Sequence, residues 1–335
     1  MKAVQMSQDS TSSKDDTRHY GLELEYLGVP LPDAARLVAD ITGGTIHEDH
    51  STSFTVKTEN LGDFTIELDV ELAQKISKRA QEHKGDPDQS LSFEELADPI
   101  VPGLLSPVAP NEIVTPPLKF SDLKIVEKIV EELRYQGARG TSHSLLYAFG
   151  YHINPEAISV EPREIRDTIR AFILLYDWLM THLDMDLTRK ITGFSGPYSE
   201  EYAQFILTGA YDPDISKLIQ DYIHFNPSRN YALDLLPLFS HINEDLVESL
   251  IEDSLIKKRP TYHFRMPNCS IDDPDWHLQT ALDCWFTVEN LAGHKTLLKE
   301  LSVAYTIRHK ELFSRIDPHW VAFVEDRLNK AGIKE

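Results

Sequence analysis

Carboxylates spaced two residues apart are the first feature of this chain with chemical potential. Glu23 and Glu25 lie in YGLELEYLGVP, and Glu67 and Asp69 lie in DFTIELDVEL. On an extended backbone, residues i and i+2 leave the same face, so each pair crowds two negative charges onto one side of a strand. Like charges packed that way repel. A divalent cation removes the cost, and hard ions such as Mg²⁺ take carboxylate oxygens. The same spacing has a plainer reading, because an antiparallel sheet often keeps one wet face where such acids need no metal. Two acidic strands favour a metal more than one does.

Other polar residues stand in apolar surroundings. Glu112 precedes Ile113-Val114-Thr115-Pro116 and is placed to add an acid from a third strand. His152, between Tyr151 and Ile153, suits either a hydrogen-bonded buried group or a ligand. Arg265, between Phe264 and Met266, presents a planar fork to a carboxylate as a tie or to a phosphate as a clamp. Arg229, before another short strand, suits either role. His47 and His50, and His182 and Asp186, have metal-like spacings but no third ligand in view. HExxH is absent, GFSGPYS is not a GxSxG elbow, and neither common nucleotide fingerprint occurs.

The elements that must position these groups are readable from periodicity. Leu22, Leu24 and Tyr26 alternate with the first acids, which is strand period. Residues 33–40 predict a short helix stopped by Gly43-Gly44, and SFTVKTEN with DFTIELDVEL predicts a hairpin. NEIVTPPL reads as a short strand blocked by prolines, and SDLKIVEKIVEELRYQG as a helix. LLYAFGYHINPE is a further strand, and Pro162 opens a strong helix. Helices follow near 199–208, 213–223 and 242–257, with NYALDLLPLF as a strand and turn. TYHFRMPN is a strand, one long helix runs from about Asp275 to Glu300, and the C-terminus is helical. Residues 1–18 read as a disordered leader, 74–110 as an insertion, and 19–335 as one α+β domain.

Composition removes several classes. With 33 Lys+Arg against 54 Asp+Glu the formal charge is −21, which argues against a nucleic-acid partner, since a polyanion needs a basic surface. No apolar run is long enough to span a bilayer. Two cysteines without CxxC exclude a disulfide scaffold and a Cys-rich zinc site, and the expected setting is cytoplasmic.

The run YGLELE resembles the opening strand of the amidoligase family, related to the glutamine synthetase and glutamate–cysteine ligase superfamily of carboxylate–amine ligases. The resemblance continues in order through DFTIELD, NEIVTPPL, LLYAFGYHIN, SRNYALDLLPLF and YHFRMPN. It implies an α+β fold with a curved, mostly antiparallel sheet forming an active-site funnel, like a glutamine synthetase catalytic domain, with helices outside. It implies that Glu23, Glu25, Glu67 and Glu112 bind metal, with Asp69 a weaker candidate. His152 lies near nucleotide or phosphate, Arg265 faces the transferred phosphate, and Arg229 serves phosphate or the substrate carboxylate. Two positions depart from the pattern: Asn154 replaces the second histidine of a GxHxH-like strand, and His263 replaces a metal-binding glutamate. His263 is a candidate ligand, though Mg²⁺ prefers oxygen.

The implied activity is ATP- and Mg²⁺-dependent joining of a carboxylate to an amine through an acyl phosphate, with Mn²⁺ as the alternative ion. The partners would be small amino acids, peptides or cell-wall-type fragments, with no nucleic acid and no membrane; an oligomer is left open. Two rivals stand beside it: another Mg²⁺–ATP phosphotransferase using the same acids, and a non-catalytic binding protein derived from the ligase fold.

Overall fold

The computed structural model describes residues 18–69, 110–140, 149–185, 196–308 and 316–333. The leader and most of the insertion expected from the sequence lie outside these residues. The first strand, β1 (His19–Tyr26), alternates as expected, but both of its faces are largely buried. Helix α1 (Leu31–Thr42) starts on Pro30 and Pro32 and buries Leu31, Ala34, Ala35, Leu37 and Val38 on one stripe. It ends where Gly43 adopts φ 71°, a left-handed cap that suits glycine, and the following β2 (Thr45–His50) is exposed along its whole length.

The predicted hairpin forms as β3 (Ser53–Lys57) and β4 (Asp63–Leu68), and NEIV forms β5 (Asn111–Val114). After β6 (Leu118–Lys119) comes α2 (Lys124–Tyr135), which buries Val126, Ile129, Val130 and Leu133. Strand β7 (Tyr151–Pro155) leads into α3 (Pro162–His182), a long helix packed chiefly against α7 (Leu278–Gly293). Between them lie α4 (Glu200–Leu207), α5 (Ile215–Phe225), β8 (Leu233–Asp234), α6 (Leu236–Leu250) and β9 (His263–Phe264). Helices α8 (Lys295–Arg308) and α9 (Pro318–Lys330) follow.

The strands join into a sheet of nine among the described residues, in the order β2-β3-β4-β5-β1-β7-β9-β8, with β6 beside β1. Every ladder between named strands is antiparallel. The α+β class therefore holds, but the curved, funnel-forming, glutamine synthetase-like sheet does not. The strand path is open, from β2 at one edge to β8 at the other, and among the described residues nothing pairs the two edges. The physical reason lies in the edge strands. Closing a sheet requires its edge strands to pair. Here β8 and β9 are two residues each, and β2 is an exposed, charged edge of the kind that resists pairing.

Three local expectations also shift. Residues 236–241 are helical rather than strand and turn, because Asp234 Oδ1 accepts the Leu236 N–H at 2.9 Å and Pro237 fits a first turn. That helix ends at Leu250, short of 257. The long C-terminal helix breaks at His294, whose ψ of 73° is not helical and whose Nδ1 accepts the Leu297 N–H at 3.2 Å, restarting the chain as α8.

Candidate metal centre

The registers put the chemistry-bearing residues on one face. Glu25 is directly opposite Glu112 across β1 and β5, and Glu112 is directly opposite Glu67 across β5 and β4. Three carboxylates therefore stand in a row over three adjacent strands. One step along the sheet, Glu23 opposes His152 on β7. Asp234 opposes His263 at the far edge. The alternate residues Leu22, Leu24, Ile66, Ile113, Ile153, Leu233 and Phe264 are buried and form the opposite, apolar face. Phe172 of α3 and Trp285 of α7 pack on Phe264 there. The helices thus cover one face and leave the other for polar groups.

Glu23 is the most heavily bonded group on that face. Its Oε2 accepts from His152 Nδ1 at 2.9 Å and lies 3.3 Å from His263 Nε2. Its Oε1 accepts from Asn154 Nδ2 at 2.9 Å and from Arg259 Nη1 at 3.3 Å. Burial alone would raise this carboxyl, but the His263 ring and the hydrogen bond from His152 outweigh it and hold Glu23 well below the usual carboxylate range. Glu25 is also buried; its Oε2 accepts the Gly150 N–H at 2.6 Å, and its Oε1 is 3.6 Å from His152 Nε2. Burial pushes the His152 imidazole below its ordinary value, against the pull of Glu23 and Glu25, and a neutral ring is the form that ligates a metal.

Glu112 behaves oppositely. Burial, then the charges of Glu23, Glu25, Asp69 and Glu67, push its carboxyl well above the usual range. Two sets of donor atoms lie close enough to share an ion, each within 4.8 Å: Glu23, His152 and His263, and Glu25, Glu112 and His152. The second set is rich in oxygen and continues along the row to Glu67. Both fit a divalent cation by donor type, and the crowding at Glu112 is what a cation would relieve.

Residues 16–287 match a family model described as "Putative amidoligase enzyme". The chain belongs to that family. No curated protein and no solved structure matches it. The structure brings together six of the residues singled out in the sequence: Glu23, Glu25, Glu112 and His152, with Asn154 and His263, the two departures from the family pattern. Glu67 is next in the row, and the Asp69 N–H, just past β4, donates to the Pro110 carbonyl.

Arg265 is half-buried just past β9, near enough for its charge to depress His152. Its Nη1 donates to the Arg229 carbonyl at 3.0 Å, while its Nε is buried without a hydrogen-bond partner among the described residues. The Arg229 guanidinium does not join the cluster through these contacts: its Nε pairs with Asp253 at 2.9 Å. His47 and His50 sit on the exposed edge strand β2, and Asp186 lies outside the described residues.

Two residues escaped the sequence reading. Arg259 reaches Glu23 from a loop, and Asp234 stands 3.7 Å from His263 Nδ1. An aspartate two residues before an apolar Leu-Pro step was a visible sign of a cap, but nothing local announced its second partner.

Proposed function

We propose that this amidoligase is an ATP- and Mg²⁺-dependent carboxylate–amine ligase working through an acyl phosphate. The row of Glu25, Glu112 and Glu67, opposed across three strands and joined by His152, is the observation that most supports it. Glu25, Glu112 and Glu67 would hold Mg²⁺ or Mn²⁺, with Glu23, His152 and His263 as the adjoining group. A bound divalent ion supplies positive charge against phosphate oxygens, which is the main catalytic need in phosphoryl transfer.

The chain's own groups do the rest. Arg265, with an unsatisfied Nε, presents donors to the phosphoryl group as the substrate carboxylate attacks it and ADP departs. Arg229 acts by position, its carbonyl holding Arg265 at 3.0 Å while Asp253 holds its own guanidinium. An amine then attacks the acyl carbon, phosphate leaves, and one proton is released. The acidic row favours a cationic amine on approach. The kinship to the glutamine synthetase and glutamate–cysteine ligase superfamily belongs to the same proposal. It rests on the six sequence blocks, not on the shape of the sheet.

The substrates are small amino acids, peptides or cell-wall-type fragments. A cytoplasmic setting accords with two buried cysteine thiols, and no described helix is long and apolar enough to cross a membrane. A screen of ADP release over pools of amino acids and peptides tests the reading. ADP release that needs both a carboxylate and an amine, with an amide among the products, supports it. Release with a hydroxyl acceptor, or with no acceptor, assigns the acids to another phosphotransferase. Absence of Mg²⁺–ATP binding, with Glu25→Gln and Glu112→Gln indistinguishable from the natural protein, leaves a binding protein on a ligase scaffold.

A further inference from the structure

Resting on the reading of this face as a metal centre, we propose a more specific assignment. Glu23, His152 and His263 form a separate inner site for a borderline divalent transition ion of the Co²⁺ or Zn²⁺ kind, beside the acidic row that takes Mg²⁺. Two of its three donors are imidazole nitrogens, which suit zinc and its neighbours, whereas Mg²⁺ takes oxygen.

Each donor is already aimed. Asn154 and Arg259 occupy Glu23 Oε1, which turns Oε2 toward both imidazoles, 2.9 Å from His152 Nδ1 and 3.3 Å from His263 Nε2. His263 is backed by Asp234 Oδ2 at 3.7 Å from Nδ1, and Asp234 is itself pinned through Oδ1 by the Leu236 N–H. A carboxylate behind a metal-binding histidine fixes its tautomer and orientation.

A second observation points to a ligand. His263, 8% exposed, has its Nε2 buried with no hydrogen-bond partner among the described residues, and so has Asp234 Oδ2. Nε2 faces Glu23 Oε2 at 3.3 Å, another donor atom of the same site. The two imidazole rings meet edge-on rather than stacked, centroids 5.2 Å apart and planes at 74°, and with Glu23 they offer donor atoms that all lie within 4.8 Å of one another. His152 serves this site through Nδ1 and leaves its Nε2–H for Glu25 Oε1, 3.6 Å away. Asn154 and His263, the two departures from the family pattern, then have paired roles: His263 supplies nitrogen, and Asn154 orders the carboxylate. Asp234, Asn154 and Arg259 are positioning residues.

Titrating metal-free natural protein with Co²⁺, followed by its visible d–d absorption in excess Mg²⁺, tests the site without measuring turnover. Nitrogen-type bands that saturate at about one equivalent, survive excess Mg²⁺ and vanish on adding Zn²⁺ are expected. Asp234→Asn should weaken Co²⁺ binding about 10- to 100-fold while leaving Mg²⁺ affinity in place. His263→Glu should abolish the bands, and Glu112→Gln should leave Co²⁺ affinity unchanged. Erasure of the natural protein's bands by Mg²⁺ overturns the proposal, whatever the variants do. So does unchanged Co²⁺ affinity in folded Asp234→Asn and His263→Glu. Failure of Mg²⁺-dependent ADP release with the Co²⁺ bands intact would instead overturn the ligase reading and leave this site standing.

Discussion

The polar face of the sheet has two ends that solve the burial of charge differently. At the Glu23 end, one carboxylate is surrounded by His152, Asn154, Arg259 and His263, all within 3.3 Å. At the Glu112 end, three carboxylates oppose one another across strands, and no hydrogen bond or ion pair joins the Glu67 or Glu112 side chains to any described residue. Their carboxyls respond in opposite senses, Glu23 held down and Glu112 pushed up. The difference separates two jobs. At the first end the protein itself supplies partners for both oxygens of Glu23 before any ion binds; the second is a concentration of negative charge that a cation from solution would neutralise.

The largest expected effect breaks the first end. Glu23→Ala removes the acceptor for His152, Asn154 and Arg259, and the first two of these are buried. Loss of one partner of a buried charge network costs about 3–5 kcal/mol. Denaturant unfolding of metal-free protein should show a loss of that order. A cost below about 1 kcal/mol would mean that the network stabilises little and that the two ends are alike.

A somewhat smaller effect tests the second end. Mg²⁺ at about 100 times its dissociation constant should stabilise the natural protein by about 2.7 kcal/mol, read as a rise in melting temperature. The double variant Glu67→Gln with Glu112→Gln should lose most of that rise. If Glu23→Gln removes it and the double variant does not, the assignment of the two ends is reversed.

How much of this contrast was legible in the sequence depends on the range of the signal. Glu23 and Glu25 were readable because Leu22, Leu24 and Tyr26 fix the strand period around them. The hairpin and the α2 stripe were readable for the same reason. What periodicity could not give is register: the Glu25–Glu112–Glu67 row exists only because β5 inserts between β1 and β4. Strand β2 gave no alternation, since all six of its residues are exposed and neither of its faces is buried. Asp234 and Arg259 were missed because each acts on a residue reached through the fold. The break at His294 had a local sign in the preceding Gly293, against the apolar pattern running on either side. The funnel came from the resemblance and not from any residue, and the two-residue strands at the sheet's end were the evidence against it.

Asn154→Ala gives a finer measure of how ordered the first end is. The substitution deletes a 2.9 Å hydrogen bond to a charged acceptor, for which about 1.5–3 kcal/mol is usual. The low end of that range applies, because the same change removes Asn154 Oδ1, which is buried without a partner among the described residues. Under the inner-site assignment, the variant should also weaken Co²⁺ binding by freeing Glu23 Oε1. A stability loss with Co²⁺ affinity untouched would detach the network from metal binding.

The smallest effect concerns Glu112 itself. Glu112→Gln fixes the neutral form, and relief of the cross-strand like-charge contact that Glu112 makes once ionised is worth about 0.2–1 kcal/mol, so metal-free protein should become slightly more stable at pH above the raised value. The gain depends on pH in a defined direction. The Glu112 carboxyl is raised on folding, so the native state holds a proton that the unfolded chain gives up near the ordinary value of about 4.3. Its contribution is therefore fully present below that value and is lost as pH rises through the raised value. Glu23 has the opposite sign: its contribution is present above the ordinary range and is lost as pH falls through its depressed value. Metal-free protein should thus be weakened on both sides, by Glu23 in acid and by Glu112 at higher pH. Saturating Mg²⁺ should flatten the higher-pH limb alone, with proton release on binding visible in buffers of different ionisation enthalpy. Persistence of that limb in metal-free Glu112→Gln would show that Glu112 is not its source, and its survival in saturating Mg²⁺ would show that the acidic row does not bind the ion.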